Sequence, residues 1–118
     1  MVKAFNLVQS EINELPNNIE AEQSVIGSIL ISNEIFDEIN MIITNKNFFD
    51  PMHQKIFIAI EKLIFSGMLA NPITLKNYFE NEKDEINVPD YLVKITKFST
   101  SSRQAIEYSK LIYDLFVK

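Results

Sequence analysis

Residues 17–30 read NNIEAEQSVIGSIL, and the reading of this stretch decides the fold. Asn17 and Asn18 are both residues of the type that starts a helix, because a short side-chain oxygen can accept from the open N–H groups of the first turn. Glu20 and Glu22 follow where the positive end of a helix dipole favours acid. Val25, Ile26, Ile29 and Leu30 then recur at helical spacing and form one apolar stripe. If Asn17 is the cap, Glu20 stands at the third helical position and closes a capping box, which gives it a structural role. The rival reading makes Glu20 and Glu22 a general acid and base. Two positions apart on a helix, they point in different directions, so capping and solvent exposure are favoured for both. Gly27 interrupts the helix at a cost of about 1 kcal/mol relative to Ala. The compensation it predicts is a neighbouring backbone packed close against it.

Outward from this stretch the apolar period stays helical, and no run alternates with period two for long enough to claim a strand. Asn33 reads as the cap of a second helix that buries Ile35, Phe36, Ile39, Ile42 and Ile43. In FFDPMHQKIFIAIEKLIFSG, residues 48–67, Asp50 is an N-cap with Pro51 at the first helical position, and Gly67 is a stop after Ile56, Phe57, Ile60, Leu63 and Ile64. Asn71 and Pro72 repeat the start device, with Leu75, Tyr78 and Phe79 inward. ENEKDE, residues 80–85, reads as a solvated connection, its glutamates lacking the spacing of a cation loop. VPDYLVKITKF, residues 88–98, predicts a short helix that buries Leu92, Ile95 and Phe98, and STSS then breaks the chain and caps the last helix. The predicted fold is all-α, a compact orthogonal bundle of about six helices.

The last helix, residues 101–118, differs from the others. The stripe Ala105, Tyr108, Ile112, Leu115 and Phe116 is joined by Ile106, Leu111, Tyr113 and Val117 on other faces. That is more apolar surface than one core contact needs, and it implies a partner.

Composition limits the chemistry. A chain of 118 residues with 47% hydrophobic and 23% charged residues suits one soluble domain. A net charge of −5 argues against a surface built to neutralise phosphates. With two glycines and no GxxxxGK[ST], dinucleotide or HExxH pattern, no phosphate cradle or zinc helix of these kinds is written here. His53 is the single histidine and there is no cysteine, so it cannot assemble a metal site with either and reads as a structural or surface residue. The four Tyr and nine Phe fall mostly on apolar stripes without a basic groove, which favours core packing over base stacking. The absence of cysteine fits a reducing cytoplasm, and MVKAFNLVQSEINELP lacks the apolar core and cleavage site of a signal peptide. No apolar run is long enough to span a membrane.

LPNNIEAEQSVIGSIL, FFDPMHQKIFIAIEKLIFSG, PITLKNYFE, DYLVKI and IEYSKLI occur in an order and spacing that closely resemble the N-terminal domain of bacterial DnaB-type replicative DNA helicases. The specific parts are residues 20–25 with Gly27, the turn from His53 to Phe57, and the pair Tyr91 and Leu92. Two departures stand out. GMLANPIT places Leu69 and Asn71 where the family has proline and aspartate before Thr74, and Val88 and Pro89 replace a double glycine ahead of Tyr91.

The resemblance implies three parts: a variable segment over residues 1–15, a helical head over residues 16–100, and the first arm of a helical hairpin over residues 101–118. It implies a non-catalytic collar in the cytoplasm, without cofactor or metal of its own. A RecA-like motor using ATP and Mg is expected beyond Lys118 in the intact, ATP-dependent helicase. The implied partners are further copies of the chain, as dimers and then a hexamer, together with primase and a helicase loader; DNA is met only through the intact ring. Tyr91 and Lys110 are expected at the partner surface together with Tyr108, Ile112, Leu115 and Phe116, whereas Glu20, Gly27 and Phe57 are expected to be structural. The other readings are a helical adaptor or the helicase-binding domain of primase, and a small helical enzyme.

Overall fold

The computed structural model describes residues 17–81 and 88–118. Among the described residues there are six α-helices: α1 Ile19–Ile31, α2 Phe36–Asn40, α3 Pro51–Phe65, α4 Pro72–Asn81, α5 Val88–Ile95 and α6 Ser102–Phe116. Single 3-10 turns lie at Asn33–Ile35, Asn45–Asn47 and Thr96–Phe98, and no strand occurs among the described residues. The expectation for residues 1–15 and most of the connection expected at residues 80–85 lie outside the described residues; Glu80 and Asn81 complete α4.

Polar side chains start the helices. Asn18, not Asn17, caps α1 by accepting from the Ala21 N–H at 3.0 Å. This one-residue shift makes Ala21 the third helical position, so Glu20 closes no capping box and stands exposed in the first turn. Asp50 accepts from Met52 N–H at 2.8 Å ahead of Pro51, Asn71 accepts from Ile73 and Thr74, and Ser101 accepts from Gln104 at 3.1 Å. At the end of α3, Gly67 takes a φ of +81°, which lets its own N–H reach the Ile64 carbonyl at 3.0 Å and the Met68 N–H reach Leu63 at 2.9 Å. Only a residue without Cβ adopts this left-handed stop at little cost.

α1 is the centre of the molecule. From Val25 to Leu30 every residue is buried, because α6, α3, α5 and the Thr96–Phe98 turn all pack on it. A helix covered on all sides needs no polar face. Gly27 behaves as its position requires: a Cβ there would run into the Ile95 carbonyl oxygen and stand 3.3 Å from the Ser99 nitrogen. On the same side, the Ser24 hydroxyl donates to the Phe98 carbonyl at 2.8 Å, and Ser28 accepts from the Thr100 N–H at 2.9 Å. Small residues let the 95–100 backbone approach, and their hydroxyls pair the polar groups it brings.

Three expectations are corrected. Asn33 caps no helix. Its side-chain amide donates to the carbonyls of Ile29 and Ala70 at 2.7 and 2.9 Å and accepts from the Ala70 N–H at 2.8 Å, clipping the α3–α4 connection to the end of α1. Phe98 is not core but 39% exposed, because the backbone beside it lies too close to α1 to admit a ring between them. Ile112 is only 2% exposed: with Ala105 and Ser109 it forms the inward face of α6, so up to this point α6 belongs to the same core as the rest of the head. The aromatic centre is buried Phe57, with Phe36 and Phe48 at 5.5 and 5.1 Å between ring centres. Among the described residues no helix is long and apolar enough to cross a membrane.

Candidate functional site

The densest polar chemistry lies where α1, α5 and the start of α3 meet. Glu22, in the first turn of α1, is 2% exposed, which overturns its reading as a cap or solvent residue. The physical reason is its angle on the helix: Glu22 precedes Val25, Ile26 and Ile29 by three, four and seven positions, so it continues their buried stripe toward the N-terminus. That spacing was the signal by which it could have been found. Its Oε2 accepts from the Phe49 N–H at 2.7 Å, and its Oε1 accepts from the Asp50 N–H at 3.3 Å and from His53 Nδ1 at 2.7 Å.

His53 sits in the first turn of α3, fully buried. Because Nδ1 donates to the carboxylate, Nε2 is left to accept from the Tyr91 hydroxyl at 2.5 Å, and Tyr91 in turn accepts from Gln23 Nε2 at 3.3 Å. Tyr91 lies nearly parallel to the imidazole at 5.8 Å, and Phe48 meets the imidazole edge-on at 6.3 Å. Burial holds the Tyr91 phenol above its ordinary 10.0; the Gln23 hydrogen bond pulls it down, and the charges of Asp50 and Glu22 push it up.

The polar side-chain atoms of Glu22, His53 and Tyr91 are all engaged. A general base or nucleophile needs a lone pair aimed at space that a substrate can enter. Here the Glu22 oxygens face three N–H groups and both His53 nitrogens are bonded, so the arrangement ties three helices together. Among the described residues no group of three or more His, Cys, Asp or Glu could hold a metal.

The residues singled out for partners are not gathered on one surface. Tyr91 is half-buried in the Glu22–His53 chain. Tyr108 lines a shallow groove of about 120 Å³ with Asn18, Ala21, Ser24 and Phe98. Lys110 is exposed beside Glu107 at 3.7 Å, a weak pairing in water. Leu115 is half-buried, and Phe116 is 48% exposed although it continues the inward stripe Ala105, Ser109 and Ile112.

Residues 14–114 match the sequence model of the family described as DnaB-like helicase N terminal domain. The chain belongs to this family. It is 42% identical over 106 residues to the replicative DNA helicase DnaB of Rickettsia typhi, covering 88% of this chain and 21% of that protein. It is 33% identical over 101 residues to the replicative DNA helicase DnaB of Buchnera aphidicola subsp. Baizongia pistaciae, covering 84% of this chain and 22% of that protein. The chain thus spans about a fifth of the length of the helicases it matches. The fold superposes on the crystal structure of the N-terminal domain of DnaB helicase from Mycobacterium tuberculosis with a TM-score of 0.82, at 23% identity, over 88% of this chain and 77% of that one. In this DnaB-like domain the Glu22–His53–Tyr91 chain ties α1, α3 and α5 together.

Proposed function

We propose that this chain is the collar of a replicative DNA helicase: a head in the cytoplasm that assembles with copies of itself into dimers and a hexamer, docks primase and meets a helicase loader, while ATP-driven unwinding belongs to the remainder of the protein. The observation that carries the reading is the outer half of α6. Its inward stripe runs past the head into Phe116, and Tyr113 and Val117 stand exposed one turn apart on the adjoining flank. Each large apolar side chain left in water forgoes roughly 1.5–3 kcal/mol of burial, which favours pairing through this helix.

Light scattering over a dilution series tests the assembly. This chain should form weak, concentration-dependent dimers, and a chain extended through the next helix should assemble more tightly. A strict monomer in both would sink the self-assembly reading. For docking, titration with primase should show weakened binding for Tyr91→Ala and Lys110→Ala, with circular dichroism confirming that each variant is folded. Folded variants with unchanged affinity would remove those two residues from the surface.

A further inference from the structure

A second apolar surface lies away from the residues assigned to self-assembly and primase. The end of α1 and the α3–α4 connection form a groove of about 240 Å³, with buried Leu30 and Ala70 in its lining and Ile31 and Leu69 at its walls, 64% and 69% exposed. Exposed apolar walls of this kind mark interaction sites. The two walls hold a set spacing, because Asn33 pairs with both the N–H and the carbonyl of Ala70 across the base. The volume falls below the roughly 300–1,000 Å³ of small-molecule pockets, so the groove suits one or two aliphatic side chains presented by a macromolecule.

Charge identifies the kind of macromolecule. Glu34 lines the groove, and Asp37 and Glu38, three and four positions on, are exposed beyond it. At that spacing the three carboxylates share the outward face of the helical segment running away from the groove. An acidic face beside an apolar slot complements a helix with leucine-type anchors on one side and lysine or arginine along the edge.

We propose that this groove docks a basic amphipathic helix of a protein partner, at a site separate from α6 and independent of the reading given to α6. Two designed helical peptides of equal length serve as probes, both with leucine at helical spacing, one with lysine and the other with glutamate at the remaining positions. Methyl NMR titration should show the lysine peptide shifting Ile31 and Leu69, with the glutamate peptide binding far more weakly. Leu69→Asp, on an exposed side chain and checked by circular dichroism, should weaken the lysine peptide about tenfold or more although it makes the chain more acidic. Ile31→Asp should do the same, and Phe116→Asp should leave the affinity in place. Equal binding of both peptides, shifts confined to α6, or affinity surviving both groove variants would overturn the proposal. Loss of self-association in Leu69→Asp would overturn it in another way, by assigning the groove to a second copy of the chain.

Discussion

Replacing Gly27 should unfold much of the head's stability margin. In an open helix, Gly→Ala would gain about 1 kcal/mol from helix propensity. Here the added Cβ meets the Ile95 carbonyl oxygen, which is backbone and cannot turn aside as a flexible side chain would. Relief requires moving the 95–100 segment, and with it the bonds from Ser24 to Phe98 and between Ser28 and Thr100. The expected net loss for Gly27→Ala is therefore about 1–3 kcal/mol, the range of core overpacking. Gly27→Leu should lose more, against a total stability on the order of 5–15 kcal/mol. Urea melts of wild type and both variants measure this as a fall in midpoint. If Gly27→Ala instead raised the midpoint, the close approach of α1 to the 95–100 backbone would not hold in solution.

Glu22→Ala is expected to be comparably severe, although a glutamate near a helix start ordinarily tolerates substitution. Its removal strands the N–H groups of Phe49 and Asp50 and the His53 Nδ1–H inside the protein. Each buried donor left without its acceptor costs about 1–3 kcal/mol, so stranding three of them should cost about 3–5 kcal/mol. Glu22→Gln, which still accepts at one oxygen but turns an NH₂ toward donors, should lose about 1–3 kcal/mol. Glu20→Gln, two residues earlier and exposed, should stay within about 0.5 kcal/mol. The same melts test all three. Equal, small losses for Glu20 and Glu22 variants would mean that the carboxylate of Glu22 is solvated and the chain to Tyr91 is not formed.

How much of this is legible in the sequence follows from the range of the interactions involved. The starts at Asp50–Pro51 and Asn71–Pro72, the cap at Ser101 and the stop at Gly67 depend on atoms a few residues apart, so the sequence by itself determined them. The all-α class and the buried stripes of α3 and α5 came from periodicity in the same way, and the order of motifs was enough to place the family. The neighbour of Gly27 could be anticipated in kind, since a glycine inside a helix asks for a close contact, but not in identity. Ile95 is 68 positions away.

Where residues far apart in the chain meet, only the tertiary structure decided. Glu22 looked like a first-turn acid because its dipole role is local, whereas its bonds reach 27, 28 and 31 positions along the chain. Asn33 had the residue type of a cap, but the Ala70 backbone, 37 positions on, offered its amide both a donor and an acceptor. Phe98 and Ile112 exchanged their expected environments because the close approach at Gly27 displaces a ring that periodicity would bury, while α6 lies along α1 far enough to cover Ile112. Local chemistry specifies which helices form and where they stop. Whether a polar side chain on such a helix meets water or a distant backbone depends on the packing of the helices, which one segment of sequence does not contain.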